Sequence, residues 1–159
     1  MRPSEGFAAV RLPQGYNSRA FCWVGRARVE AIFDTGSTRN SIDENYLRAL
    51  LQNEATGVCV KDVIDIEPIS CTSMQEGSSF RVTQIAMLDV TFRDSSATIG
   101  ETREMGFLVI KNSSEDLLFG KPTLDRLGYA SDKTSIELRC LGLRFATVLP
   151  HELRDDPSG

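Results

Sequence analysis

One carboxylate in this chain, that of Asp34, has neighbours that would suit it to act as a general acid or base. Asp34 follows the apolar residues 31–33, and Thr35, Gly36 and Ser37 follow it. An apolar strand would bury the backbone before Asp34, Gly36 permits a close turn, and the two hydroxyls can hydrogen-bond the loop and the carboxylate. A carboxylate held in this way can act as a general acid or base, above all beside a second carboxylate. The alternative is a strand that ends in an ordinary turn.

A second segment, much later in the chain, has a related pattern. Leu118 and Phe119 belong to an apolar run that leads into Gly120. Pro122 suits the first turn of a helix, and Gly128 suits the position just after the last turn. The pattern predicts a strand followed by a short helix. An ordinary strand–helix corner without a function is again the alternative.

The two segments, in this order and at this distance, resemble the retropepsin-like aspartic proteases. That family has one Asp-Thr/Ser-Gly loop per chain and then a hydrophobic-hydrophobic-Gly strand before a short helix. The resemblance extends from about residue 20 to about residue 147, and it is closer to the gypsy-type retrotransposon and DNA-damage-inducible groups than to the compact lentiviral enzymes. It implies an all-β fold with two short helices, an acid-protease β-barrel with one lobe per chain, and a protease domain over 20–149.

The activity that the resemblance implies is that of an aspartic endopeptidase. Its chemistry needs two carboxylates that share a water, one ionised to take the water's proton and one protonated to donate to the scissile carbonyl. This chain has a single Asp-Thr-Gly, and a two-lobed enzyme would need about twice the 159 residues present. The second Asp34 is therefore expected from a second copy of the chain across a two-fold axis. Polyprotein processing is the expected role.

Family resemblance also assigns roles around Asp34. It implies that Thr35 hydrogen-bonds across the dimer, that Gly36 contacts the substrate backbone and that Ser37 supports the loop, while Thr38 and Arg39 border the cleft. Viral relatives often carry acidic residues at the last two positions and an Arg after the second Gly. This chain departs from both, so viral subsite preferences are a poor guide.

Strand and helix patterns supply the remaining elements. Strands are predicted over 20–24 and 27–33, with a turn at Gly25, and a short strand over 40–42 leads into a helix capped by Ser41 or Asp43. That helix has an apolar face. Residues 58–92 are read as a long β region and 93–100 as a surface loop. Later strands are predicted over 105–110, 117–119, 135–140 and 143–148, and the last of these is the candidate dimer interface.

A flap is expected over about 70–81, because the family has a hairpin there that closes over substrate. The segment is small and polar around one glycine, which suits a mobile hairpin. Substrate contacts are assigned to Met74, Gln75, Glu76 and Gly77. The alternative is a plain surface hairpin.

Composition excludes several other classes of protein. The net charge of −4 argues against nucleic acid as the main partner, and no apolar run is long enough to span a membrane. Four scattered cysteines and one histidine argue against a metal site, and no cofactor is expected. The thiols are read as reduced in a cytoplasmic protein. Residues 1–19 are an N-terminal extension with a possible edge strand, and 150–159 are expected to be a mobile tail.

Two other functions stay open at this stage. A retropepsin-fold dimer that has lost activity would serve as an assembly or binding module, although the intact Asp-Thr-Gly argues against it. A monomeric β-barrel that binds a ligand is the third possibility. Cleavage-site preference, pH optimum and the parent context cannot be read from the residues.

Overall fold

The computed structural model describes residues 17–72, 79–96, 100–132 and 134–148. These residues form short strands with two helices among them. In chain order the elements are β1 (Ser18–Val24), β2 (Ala27–Phe33), β3 (Ser41–Asp43), α1 (Glu44–Gln52), β4 (Val63–Thr72), β5 (Ser79–Arg93), β6 (Gly100–Ile110), β7 (Leu117–Phe119), α2 (Lys121–Leu127), β8 (Tyr129–Ser131), β9 (Ser135–Leu138) and β10 (Leu143–Ala146). No helix within these ranges has the length and apolar character needed to cross a bilayer.

Six strands close into a barrel in the order β1-β2-β7-β3-β6-β5. The barrel closes because β1 pairs with β2 along its whole length and with β5 at Trp23 and Val24. Strand β4 lies outside the ring and, among the residues described, pairs only with β5, while β8, β9 and β10 form a separate antiparallel sheet. The predicted architecture, a β-barrel with two short helices, is confirmed.

An aromatic cluster fills the centre of the barrel. Phe33, at the end of β2, and Phe119, at the end of β7, are almost completely buried, and their ring centroids lie 5.2 Å apart. Phe92 of β5 and Phe107 of β6 pack on Phe119 at 5.5 and 5.8 Å. Buried aromatic pairs at these separations stabilise a core beyond the area that they bury. The residues that precede Asp34 and Gly120 are thus anchored to each other.

Helix α1 begins at Glu44, where the acidic residues predict a helix start. Of the two candidate caps, Asp43 is the one used: its carboxylate accepts the Tyr46 N–H at 3.1 Å and the Ser113 N–H at 2.9 Å. The helix buries Leu47 and Leu50 against the barrel. Because Asp43 also ends β3, the cap fixes the direction in which the chain leaves the barrel.

Helix α2 follows the predicted pattern as well. Pro122 lies in its first turn, where a missing N–H costs nothing. Gly128 ends the helix with a φ of 69°, a left-handed conformation in which glycine is unstrained. Its N–H donates to Asp125 O at 3.2 Å.

Several predicted strand boundaries are wrong. Residues 58–62 are not a strand, since Val60–Asp62 is a short 3₁₀ turn in which Asp62 accepts the Cys59 N–H at 2.9 Å. Strand β6 begins at Gly100 rather than at 105, because β5 continues to Arg93 and pairs with it there. Strand β9 ends at Leu138, two residues early, and β8 is not predicted at all.

The candidate interface segment, 143–148, forms β10 over Leu143–Ala146, and its role in a dimer stays a prediction. Leu143 and Phe145 are 1% and 6% exposed within their own chain. Residues 1–16, which would include the possible edge strand, the predicted flap residues Met74, Gln75, Glu76 and Gly77, and the tail 150–159 lie outside the described residues. The strands on both sides of the predicted flap segment, β4 and β5, are described, and the last pair before the segment is Thr72 with Ser79.

Candidate active site

Asp34 sits at the first position after β2, where the strand meets the end of β7. These two strands run parallel, with Phe33 opposite Phe119, and the Asp34 N–H donates to Phe119 O at 2.9 Å. The carboxylate is half-buried, and its Oδ1 accepts the Gly36 N–H at 2.8 Å. One carboxylate oxygen is therefore held by the loop itself, and the carboxylate still reaches solvent.

Gly120 lies against the backbone of the Asp34 loop. A Cβ at this position would stand 2.7 Å from Arg39 O and 2.8 Å from both Arg39 C and Arg39 N. The φ of Gly120 is −93°, which any residue can adopt, so space alone requires the glycine. Next to it, the Lys121 N–H donates to Ser37 O at 2.7 Å. The second motif, at Gly120 and Lys121, thus contacts the Asp34 loop directly and holds it in place.

Asn40 connects the far end of the same loop to two elements, α2 and β6. Its Oδ1 accepts the Gly120 N–H at 2.8 Å, and its Nδ2 donates to Thr123 Oγ1 at 2.9 Å and to Gly106 O at 3.3 Å. Its carbonyl accepts the Leu108 N–H at 3.0 Å. Thr123 is only 4% exposed. Because Gly120 and Thr123 are buried, the side chain of Asn40 holds the loop at a fixed distance from α2 and β6.

A mostly apolar row crosses the outer face of the sheet and leads to Asp34. Strand register places its members opposite one another across β4, β5, β6, β3, β7 and β2. We call this set the cleft row: Ile64, Ile85, Leu108, Ser41, Leu118 and Ile32. Ile32 precedes Asp34 by two positions, so both leave the same side of the chain. At the other end, Ile64 is 47% exposed.

The overall arrangement is found in a solved protease-like structure. The crystal structure of the retroviral protease-like domain of Ddi1 from Leishmania major is similar to this chain with a TM-score of 0.54 and 14% sequence identity. The similarity covers 88% of this chain and 99% of that domain. The chain has the retropepsin-like fold. Neither a protein-family model nor a curated protein sequence matches it.

Within this retropepsin-like barrel, the predicted site residues of the first motif share one loop. Ser37 supports the loop, since its Oγ donates to Arg39 O at 2.8 Å. Thr35, Gly36, Thr38 and Arg39 are exposed in the single chain. Leu118, Phe119 and Gly120 are brought against this loop, with Phe119 in the core and Leu118 in the cleft row.

Sequence reasoning missed the two features that complete this site. The sequence pattern predicts Asn40 only as the start of a strand, although its side-chain amide can accept one hydrogen bond and donate another. The cleft row was also missed, because its members come from six separate strands. Over the described ranges, no group of three or more His, Cys, Asp and Glu residues could hold a metal ion.

Proposed function

We propose that this chain is an aspartic endopeptidase that works as a homodimer and hydrolyses peptide bonds with water activated between two Asp34 carboxylates. The observation that supports this most is the clamped loop, in which Asp34 is half-buried at a strand end with one oxygen bound by Gly36. Enzymes hold catalytic groups on rigid supports, because a small displacement of a reacting group lowers the reaction rate strongly.

The homodimer follows from the need for a second carboxylate. The sequence has one Asp-Thr-Gly, so a two-fold axis beside Asp34 supplies the partner. Two adjacent carboxylates share one proton because both cannot ionise cheaply, and this gives an acid and a base in one site. The exposure of Thr35 leaves it free for the expected contact across the axis.

The substrate in this proposal is an extended segment of a protein or polyprotein. The cleft row places apolar side chains beside Asp34: Leu118 is half-buried and Ile32 is buried in the single chain, while Ile64 is exposed at the base of the flap hairpin. A peptide in extended conformation places alternate side chains on one side, and these would lie on the row. The flap, at 70–81, would cover the peptide from above.

A reducing, cytosolic environment completes the proposal. All four cysteines are free thiols; Cys22 is fully buried in the barrel, and Cys59 and Cys140 are exposed. Burial raises the pKa of the Cys22 thiol, which keeps it protonated and unreactive.

Asp34→Asn tests the catalytic role. The amide has nearly the same size and keeps an acceptor for the Gly36 N–H, but it cannot take up the water's proton. Cleavage of a quenched fluorescent peptide at acidic pH should fall by roughly 10²- to 10⁴-fold while circular dichroism stays unchanged. Asp125→Asn is the matched control, since Asp125 is exposed on α2 in a surface ion pair with Lys121, and it should keep full activity. Undiminished cleavage by pure Asp34→Asn protein would remove Asp34 from the mechanism.

Mixing experiments test the shared site. In an equal mixture of wild-type and Asp34→Asn chains that exchange freely, about a quarter of the dimers contain two wild-type chains. Activity should then fall to about a quarter of that of the undiluted wild type, and not to half. Dilution below the dimer dissociation constant should also lower specific activity. Constant activity per chain in a sample that sediments as monomer would exclude the shared site, and a stable dimer that a pepstatin-type inhibitor does not affect and that cleaves nothing would favour an inactive module.

A further inference from the structure

Arg39 is an exposed cation in the loop that carries Asp34. It lies five positions after Asp34 and two before Ser41, a member of the cleft row. Among the residues that the structure describes, no carboxylate forms an ion pair with it, whereas five other arginines and Lys121 have such partners. A guanidinium beside a peptide-binding surface and without a carboxylate partner is available to a ligand.

The main chain of Arg39 is held more firmly than its exposure suggests. Its carbonyl accepts from Ser37 Oγ at 2.8 Å, its N–H donates to the same oxygen at 3.4 Å, and Gly120 packs directly on its backbone. The side chain of the next residue, Asn40, is hydrogen-bonded to the Thr123 hydroxyl and to the Gly120 N–H. The base of the Arg39 side chain is thus fixed relative to Asp34, and only its outer part must be ordered when a ligand binds.

We propose that Arg39 selects substrates that carry an acidic side chain a few residues from the scissile bond. This inference rests on the proposed function and adds the class of substrate: an extended peptide with apolar side chains on the cleft row and a carboxylate at Arg39. An Arg binds a carboxylate in a bidentate geometry, and partial shielding from water strengthens that contact. Two-fold symmetry places one Arg39 on each side of the two-fold axis, so an acidic residue on either side of the scissile bond would be recognised.

A peptide series tests the selection. Each peptide has one apolar pair at the scissile bond and a single Glu, Gln or Lys at one of the three positions on either side. For the position that meets Arg39, wild-type kcat/KM should be about tenfold higher with Glu than with Gln, and lower again with Lys, which corresponds to about 1.4 kcal/mol between Glu and Gln. The readout is the ratio of kcat/KM values, which is independent of the amount of active dimer.

Two variants of Arg39 and one control complete the experiment. Arg39→Gln should bring the three ratios close to one, and Arg39→Glu should reverse the order so that Lys is preferred. Arg48→Gln, on the exposed side of α1, should keep the wild-type ratios and activity. Equal cleavage of all three peptides by the wild type, or ratios that Arg39→Glu leaves unchanged, would overturn the inference while the cleavage itself supports the proposed function. No cleavage of any peptide would overturn both.

Discussion

Replacing Gly120 by Ala tests whether the second motif positions the first. The added methyl group would meet three main-chain atoms of Arg39 at 2.7 to 2.8 Å. Main-chain atoms cannot rotate away as the end of a side chain can. The loop between Asp34 and Asn40 must therefore move away from α2, or α2 must move with Gly120.

The size of the effect follows from these distances. Ordinary carbon contacts lie near 3.5 to 4.0 Å, so relief requires a shift of roughly 0.7 Å or more. Overpacking of a well-packed site costs about 1–3 kcal/mol, and in a domain of this size that lowers Tm by about 3–10 °C. The same shift reaches the Asp34 loop, where a displacement near 1 Å costs about 100-fold in rate. We expect loss of stability and a larger loss of activity in the fraction that remains folded.

Urea denaturation and peptide cleavage at a temperature below both transitions separate these effects. Gly100→Ala is the control, because a Cβ there meets its nearest neighbours at 3.4 Å and the position is exposed at the start of β6. Its stability should change by less than about 0.5 kcal/mol and its activity should be kept. If Gly120→Ala is as stable and as active as the wild type, the clamp between the two motifs does not exist as described.

Two further predictions follow from single side chains. Asn40→Ala leaves the Gly120 N–H without its acceptor, so the free energy of unfolding should fall by about 1–3 kcal/mol and peptide cleavage should slow. Asn45→Ala, on the exposed side of α1, is the control and should change neither quantity. Equal unfolding curves for the two variants would contradict this prediction. The pKa of Asp116 is raised by partial desolvation and by the nearby Asp43 and Glu115 carboxylates, so its charge destabilises the fold at neutral pH and this cost disappears as the carboxyl becomes protonated. Asp116→Asn should therefore stabilise the chain at pH 7, by less than about 1 kcal/mol because the residue is largely exposed, and the gain should shrink towards pH 3.5 in urea titrations; a gain of equal size at both pH values would refute the assignment.

Local signals in the sequence determine several elements. An acidic side chain directly before a helical pattern caps α1 at Asp43, and Pro122 and Gly128 bracket α2, because each acts on its own turn of backbone. The β1–β2 hairpin is likewise predictable, since Gly25 adopts a φ of 57° between two alternating runs. The position of Asp34 at a strand end and the turn at Gly36 can also be predicted from the local sequence.

Other features depend on partners that are distant in the chain. Residues 100–104 are polar and carry no strand signal of their own, yet they form the start of β6 because β5 offers a paired edge. The cleft row exists only through the order and register of six strands, and no segment of the sequence contains more than one or two of its members.

Gly120 shows the difference most directly. The sequence marks it as the end of an apolar run, and its backbone conformation would suit any residue. Only the tertiary structure shows that Arg39 occupies the space where a side chain would be. Glycine is needed there because two loops far apart in the chain meet at van der Waals distance, and that close approach holds the Asp34 carboxylate in place.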